Sequence, residues 1–448
     1  MPTIACHTLG CKVNQYDTQA MLELFLQRGY TPVSMEEEAD VYLLNTCTVT
    51  GTGDKKSLQM ARRLKRLHPG SRLILCGCLA QKSGDSLLSR TGADLILGTQ
   101  RRAEVVDLLE QVLSDGKPRC AVEPLAQGVP FESLRISYQE EHTRASLKIQ
   151  EGCDNHCTYC IIPSVRGPIR SRTPESVGEE ARRLSAHGVQ EIVLTGIHLS
   201  SYGRDLSPRC TLLEAIAQVQ RTEGITRIRL GSLEPMVATP AFAAALREMD
   251  KICPQFHLAL QSGSDSVLRR MKRQYNTSQY LAAAENLRNA FPRAALTTDI
   301  LTGFPGETEE EFQETARMIE QVGFARIHVF PYSPRPDTPA AVMPDQIPRN
   351  IKDERVRKLI RVGNRCAEKY LKTWIGAEAQ ILPEEIIDGC WEGYTPEYIR
   401  VRLCPGASCT GDRPVQVRLV SVRSGLMLGE PVSGSPVSPH EMVLKPSI

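Results

Sequence analysis

Short apolar runs alternate with helical patterns along most of this chain, and that alternation limits the fold more than any other feature. Over residues 1–115, the segments 3–9, 41–45, 72–76 and 94–97 read as strands, and 15–29, 57–67, 83–90 and 103–113 read as helices. A strand, a helical crossover and a further strand pair in parallel, so this pattern predicts a parallel sheet covered by helices. Residues 116–142 hold Gly116, Pro118, Pro124, Gly128 and Pro130 with little periodicity and read as a linker. Over 143–348 the alternation resumes: strands at 145–150, 191–195, 227–232, 256–260, 296–302 and 326–330, with helices at 174–187, 212–221, 240–249, 278–290 and 307–322. Six βα-type repeats are too few for an eight-stranded barrel and enough for a partial (β/α)6 one, with its chemistry at the carboxyl ends of the strands. A Pro-rich crossing leads to a basic helix over 349–375. Short β-rich runs at 379–382, 398–403 and 415–422 then predict a small β-barrel or sandwich over 376–448.

The 448 residues are 41% hydrophobic and 24% charged, the balance of an ordinary soluble protein rather than a largely disordered one. No run approaches about 18 apolar residues, so no membrane-spanning helix is expected. The first residues turn polar at once, so export is not expected either and the cytoplasm is the expected location. In a reducing compartment, fifteen cysteines are not a disulfide framework.

Cys153-x3-Cys157-x2-Cys160 directly follows the first strand of the partial barrel. Three thiolates on one tight loop supply three of the four ligands of a cubane 4Fe-4S cluster and leave one iron open. Zinc completed by His156 is the alternative, although structural zinc more often shows a second cysteine pair downstream. Cys11, Cys47 and Cys78 each follow one of the first three strands; Cys76 is the alternative to Cys78, which is preferred because it lies at the strand's exit. A parallel sheet places all its carboxyl ends on one edge, so these sulfurs are expected to converge as a second three-cysteine set; small apolar packing residues are the plain alternative. Cys6, Cys120, Cys210, Cys253, Cys366, Cys390, Cys404 and Cys409 show no ligand spacing.

At these residues the chain resembles the methylthiotransferase family of radical S-adenosylmethionine enzymes. The stretches Gly10-Cys11-Lys12-Val13-Asn14, Asn45-Thr46-Cys47-Thr48-Val49 and Gly77-Cys78-Leu79-Ala80-Gln81 are similar to the family's three N-terminal cysteine motifs, which favours Cys78 over Cys76. Residues 151–160 resemble its radical cluster loop. Thr195-Gly196, Leu260-Gln261-Ser262-Gly263 and the 299–308 stretch, each at a predicted strand end, also match. The terminal segment is similar to the family's RNA-binding TRAM barrel. Among the family's substrate groups, Cys160-Ile161-Ile162-Pro163, the 166–172 stretch Arg-Gly-Pro-Ile-Arg-Ser-Arg and the 229–235 stretch look most like enzymes acting on N6-threonylcarbamoyladenosine in tRNA, at adenosine-37 beside the anticodon.

The resemblance implies two 4Fe-4S clusters, on Cys153, Cys157, Cys160 and on Cys11, Cys47, Cys78, together with S-adenosylmethionine. The target is an unactivated aromatic C–H at C2 of adenine, which no side-chain acid or base readily deprotonates, so a radical cofactor is required. The implied sequence is reductive cleavage of S-adenosylmethionine, sulfur delivery from the second cluster and methylation by another S-adenosylmethionine. An external one-electron donor of flavodoxin or ferredoxin type and a sulfur source are implied partners. Tyr159, Thr195, Gly196, Glu234, Gln261, Arg273 and Asp299 are the implied cofactor contacts. Each has a plain reading beside it: Tyr159 as core, Arg273 as a solvated charge, Asp299 as a turn cap, Gln261 as a helix start. Rival functions are a methylthiotransferase for isopentenyladenosine or a ribosomal-protein aspartate, and a non-enzymatic zinc-stabilised RNA-binding protein.

The net charge of +2 hides uneven regions. Residues 349–374 carry nine Lys or Arg against three Asp or Glu, and 54–66 carry six against one. Either could track phosphates or be a solvated face. From Gly376 onward six basic residues face nine acidic ones, so RNA contact there would need a local face including Arg400 and Arg402.

Overall fold

The structure, a computed structural model, describes residues 1–137, 144–403 and 413–432. Six strands, β1 (Thr3–Thr8), β2 (Thr31–Pro32), β3 (Val41–Thr46), β4 (Arg72–Gly77), β5 (Leu95–Leu97) and β6 (Arg119–Ala121), form the first sheet in the order β2-β1-β3-β4-β5-β6. Every pairing in it is parallel. Successive strand residues point to opposite faces. Leu43, Ile74 and Leu95 pack with Met21, Phe25 and Leu109 on one face, whereas Leu44, Leu75 and Ile96 pack with Ala61, Leu64 and Leu87 on the other. This two-sided burial is why the strands read as continuous apolar runs.

Three local differences from the expectations have physical causes. The helix expected from residue 57 starts at Gly51, because the Thr50 hydroxyl caps the Gly53 N–H and starts the helix through a glycine-rich turn of poor propensity. The helix expected over 83–90 is observed at Ser86–Thr91, and an additional short helix, Cys78–Ser83, precedes it and ends at Gly84, whose φ is 50°. The expected linker contributes β6, and Leu134 and Ile136 are buried in the central core, so this stretch packs along the seam between the two units. Its residues 138–142 lie outside the described ones.

The central unit contains β7 (Arg144–Glu151), β8 (Arg170–Ser171), β9 (Glu191–Gly196), β10 (Arg227–Leu230), β11 (Gln255–His257), β12 (Ala295–Thr302) and β13 (Arg326–Pro331). β7, β9 and β10 pair in parallel, as do β11, β12 and β13. Parallel bridges Ile228–Ile252 and Leu233–Leu258 join the two groups, so six parallel strands follow one another in chain order as the partial barrel expected. β8 is an antiparallel addition on the outer edge of β7. Helix Arg349–Lys372 packs on β13 through Gly363, where an added Cβ would stand 2.4 Å from Ile327.

A closed five-stranded barrel follows, with β14 (Glu378–Ile387), β15 (Cys390–Tyr394), β16 (Arg400–Leu403), β17 (Val415–Arg423) and β18 (Leu426–Pro431) in the order β14-β15-β16-β18-β17. Its core holds Ile381, Val401, Val417, Leu419 and Met427, capped by Trp374. It seats on the amino ends of the central strands. Arg227 donates to the Tyr394 and Gln380 carbonyls at 3.0 and 2.9 Å, Arg229 to the Pro396 carbonyl at 2.9 Å, and Arg144 to the Tyr398 hydroxyl at 2.9 Å. The opposite, carboxyl ends are left for chemistry. Cys404 and Cys409 lie outside the described residues. Among the described residues no helix is long and apolar enough to cross a membrane.

Candidate functional site

The carboxyl ends of β1, β3 and β4 bring three cysteine loops together. Cys11 is the N-cap of helix Lys12–Gln27, Cys47 follows β3 directly, and Cys78 opens helix Cys78–Ser83. Gly10 presses against Cys47 with φ 117°, and a Cβ there would stand 3.3 Å from the Cys47 sulfur. Gly77, at φ 90°, leaves no room for a Cβ either: one would lie 2.2 Å from Asn45 Oδ1. Asn14 ties two of the loops by donating to the Leu9 carbonyl at 2.8 Å and the Thr46 carbonyl at 3.2 Å. Burial pushes the Cys78 thiol up to about 11; the Arg166 charge opposes that rise, and the neighbouring Cys11 and Cys47 sulfurs add to it. Burial also raises Cys47. Cys76 belongs elsewhere, buried in the sheet core with Leu43 and Ile74.

The second triad sits on one loop after β7. Gly152 turns the chain at φ 73°, and an added Cβ there would stand 1.9 Å from the Pro168 carbonyl oxygen. The Cys153 N–H donates to the Gly167 carbonyl at 3.0 Å and the Cys160 N–H to the Cys157 carbonyl at 3.0 Å. Burial raises Cys153 to about 12 and Cys160 to about 11, with Cys157 adding to both shifts. Arg273 donates to the Cys157 sulfur at 3.3 Å and clamps Glu234 through two bonds of 2.6 and 2.7 Å. It is buried and paired, so its reading as a solvated charge is corrected. Tyr275 orients it, accepting from Arg273 Nε at 3.1 Å.

The other expected contacts fall into two groups. Tyr159 packs with Phe304, Tyr332 and Met271, close enough to Arg273 to feel its charge. Thr195 and Gly196 end β9; Gly196 lies against Gln150, whose amide donates to the Glu151 and Gly152 carbonyls at 2.8 Å each. Gln261 and Asp299 stand together on the far side of the barrel, the Gln261 N–H donating to the Asp299 carbonyl at 2.9 Å. Gln261 has φ 66° and begins no helix, and the Asp299 carboxylate faces His257 at 3.5 Å, not a turn.

Sequence reasoning missed the charged network between the triads. Arg166, fully buried, donates from Nε to the Cys78 sulfur at 3.2 Å and from Nη1 to Glu151 at 2.6 Å and Asp17 at 3.2 Å. Its Nη2 meets Asn14. Lys148 and Arg102 bind the same two carboxylates. Burial opposes the Glu151 carboxylate, but the Arg166, Lys148 and Arg102 charges outweigh it and hold that carboxyl well below the usual range. Glu151 lies two residues before Cys153, and Asn14 and Asp17 lie on the helix that Cys11 caps. One guanidinium therefore bonds the Cys78 sulfur directly and reaches the strand before the other triad through Glu151. The three arginines of the 166–172 stretch are all buried at this seam.

The donor sets suit an iron–sulfur cluster: each triad offers three thiols, one of which accepts from a buried arginine, Cys78 from Arg166 and Cys157 from Arg273. Among the described residues no group of three or more His, Cys, Asp or Glu closes on a point that would hold a single metal ion. A zinc site needs its sulfurs about 2.3 Å from one centre, whereas a cubane spreads its ligands over several irons. His156, the ligand that a zinc reading needs, is exposed. Arg400 and Arg402, the expected phosphate contacts of the terminal barrel, instead converge on Glu392, with Arg402 Nε at 2.6 Å.

A partial barrel with three cysteines after its first strand defines a radical S-adenosylmethionine protein, and residues 147–319 match the Radical SAM superfamily. Residues 3–98 match the family described as Uncharacterized protein family UPF0004. The chain is 42% identical over 407 residues to the threonylcarbamoyladenosine tRNA methylthiotransferase MtaB of Bacillus subtilis (strain 168), covering 90% of each chain. It is 35% identical over 440 residues to the tRNA-2-methylthio-N(6)-dimethylallyladenosine synthase of Moorella thermoacetica, covering 95% of this chain and 98% of that one. This chain belongs to the radical S-adenosylmethionine methylthiotransferase family. The fold is also that of the radical S-adenosylmethionine methyltransferase TsrM from Kitasatospora setae, with a TM-score of 0.56 and 13% identity, covering 76% of this chain and 77% of that one.

Proposed function

We infer that this protein is a tRNA methylthiotransferase that converts N6-threonylcarbamoyladenosine to its 2-methylthio derivative. The 42% identity to the Bacillus subtilis MtaB over 90% of both chains carries the choice of substrate. In this reading Cys153, Cys157 and Cys160 hold one 4Fe-4S cluster, and Cys11, Cys47 and Cys78 hold the other. When bound, the first cluster and S-adenosylmethionine supply the one-electron chemistry that an unactivated adenine C–H demands.

The chain's own contribution is position and environment. Arg273 holds the Cys157 sulfur and is itself fixed by Glu234 and Tyr275, which supports these residues as neighbours of the cofactor. Gln150 carries the backbone of the Glu151-Gly152 turn and receives the His198 N–H at 2.7 Å, so Thr195 and Gly196 lie under a stiff floor. Gln261 and Asp299, also read as cofactor contacts, stand on the opposite half of the barrel from the cysteine loop. Terminal-barrel docking on the amino ends of the strands leaves the carboxyl-end mouth free. A one-electron donor of flavodoxin or ferredoxin type and a sulfur source complete the partners, and the cytoplasm is the place of action.

Nucleoside mass spectrometry of tRNA from a deletion strain tests the substrate. Loss of the methylthio mark on threonylcarbamoyladenosine is expected, with complementation restoring it. Loss of the mark on dimethylallyladenosine instead would transfer the chain to the other branch of its relatives.

A further inference from the structure

Three basic regions compete for RNA, and the structure separates them by how their cations are neutralised. On helix Arg349–Lys372, Arg349 pairs with Asp353, Arg355 with Glu307, Lys358 with Glu354, Arg365 with Glu320 and Lys372 with Glu368, whereas Arg357, Arg361 and Lys369 are exposed and have no carboxylate partner among the described residues. Lys352 is buried and donates to the Tyr332 carbonyl. The terminal barrel is acidic, and its Arg400 and Arg402 are held by Glu392.

Helix Gly51–Leu67 leaves a larger share exposed and unpaired: five of its six cations, with Lys65 held by Asp94, against three of nine on helix Arg349–Lys372. Lys55, Lys56, Arg62, Arg63 and Arg66 are exposed, and none has a carboxylate partner among the described residues. The single acid of that helix, Asp54, is turned to Arg335 at 2.7 Å and the Thr48 hydroxyl at 2.6 Å, away from these cations. Positions 55, 62 and 66 share one helix face. Arg90, exposed and likewise without a carboxylate partner among the described residues, extends the patch, because Arg62 Nε donates to its carbonyl at 3.0 Å. A packed helix gains nothing for its own stability from such a stripe. Like charges on neighbouring positions repel.

We propose that the outer face of helix Gly51–Leu67, with Arg90 beside it, is the surface that grips the phosphates of the tRNA anticodon stem. The proposal rests on the tRNA reading above. The amino end of the helix begins four residues after Cys47, and Val49 between them is 48% exposed. The carboxyl end runs away from the cysteine edge of the sheet. From Lys55 to Arg66 the helix rises about 16 Å, enough to follow several phosphates of a stem whose loop lies at the cysteine edge. Recognition is through backbone charge and not base sequence, which suits a surface of Lys and Arg without aromatic residues.

Holoprotein and a fluorescent anticodon stem–loop carrying N6-threonylcarbamoyladenosine are titrated by anisotropy at several salt concentrations. The triple variant Lys55→Glu, Arg62→Glu, Arg63→Glu is expected to bind at least 10-fold more weakly and to lose about two units of salt slope, at about 0.7 to 0.9 per phosphate contact. The control Arg357→Glu, Arg361→Glu, Lys369→Glu on the other helix is expected to stay within 2-fold of wild type. The milder triple alanine variant, with iron content equal to wild type, is expected to show the same flattened slope and excludes misfolding as the cause. Wild-type affinity and slope in both stripe variants, or equal losses in the control, overturn the proposal. Absence of binding by wild-type holoprotein at low salt overturns the tRNA reading instead.

Discussion

The two cysteine triads reach similar arrangements by opposite routes. Cys153, Cys157 and Cys160 share one loop, and their arginine, Arg273, comes from the same barrel. Cys11, Cys47 and Cys78 come from three separate loops, and their arginine, Arg166, is delivered by the other unit of the protein. The first triad needs only local geometry. The second needs the folded sheet to bring its three loops together, and the barrel adds the arginine. The sheet-edge triad is therefore tied to the seam by a direct bond to one of its sulfurs, whereas the barrel-loop triad meets the seam only through Glu151.

The largest expected effects separate the triads outright. Cys157→Ala is expected to halve the iron of the reconstituted protein from about eight to about four and to abolish release of 5′-deoxyadenosine. Cys47→Ala is expected to lose the same share of iron, to keep 5′-deoxyadenosine release and to stop sulfur insertion. Iron and sulfide analysis with product chromatography reads both. If each variant loses both activities, the triads are not separable.

Next in size are the arginines. Arg166→Met leaves Asp17 and Glu151 buried with two of their three cations, and breaking such a network by removing one partner costs about 3 to 5 kcal/mol. A lower denaturant midpoint is expected, with iron lost from the Cys11, Cys47, Cys78 set and kept on the barrel loop. Arg273→Met is expected to show the mirror image, because Glu234 and Cys157 lose their donor while the sheet edge is untouched. Electron paramagnetic resonance of each variant, with the other triad replaced by alanine, distinguishes the two clusters. Equal loss from both triads in Arg166→Met would mean that the seam serves the whole protein and not one site.

These residues also show what the sequence could carry. A spacing of three and two on one loop is a local pattern, so Cys153, Cys157 and Cys160 were legible at once. Cys11, Cys47 and Cys78 became legible only through the rule that parallel strands share a carboxyl edge, and Cys78 is preferred to Cys76 from its place at the strand's exit, which the resemblance supports. The structure gives the reason: β4 ends at Gly77, so Cys76 still points into the sheet core while Cys78 starts a helix at the edge. Arg166 was beyond reach because its partners lie 15, 88, 149 and 152 residues away, and no periodicity encodes them. The six barrel strands were legible from alternation, while β2, β6 and β8, of two or three residues each, were too short to leave a period. The basic helices looked equivalent as sequence, since ion pairs with Glu307 and Glu320 depend on tertiary neighbours.

A smaller effect tests the turn that begins the local triad. Gly152→Ala adds a Cβ 1.9 Å from the Pro168 oxygen at a backbone angle that L side chains rarely adopt. Slower and less complete iron loading of the barrel loop is expected, with normal loading at the sheet edge. Gly10→Ala meets the Cys47 Cβ at 3.1 Å and is expected to reverse that pattern.

The smallest expected effect calibrates the rest. Thr211 caps helix Leu212–Gln220 in a reciprocal box with Glu214, the hydroxyl accepting from the Glu214 N–H at 3.4 Å and the carboxylate from the Thr211 N–H at 2.6 Å. Neither residue touches a cysteine loop. Thr211→Ala is expected to cost about 1 kcal/mol of stability through the lost cap, measured as a shift in denaturant midpoint at unchanged slope. Iron content at both triads is expected to match wild type. That outcome would show that a modest loss of global stability does not unload either cluster, so the selective losses in Arg166→Met and Arg273→Met report the arginine contacts themselves. Loss of iron from the sheet edge in Thr211→Ala would show that the three-loop triad fails with any weakening of the fold, and the contrast with the single-loop triad would then be one of fragility, not of wiring.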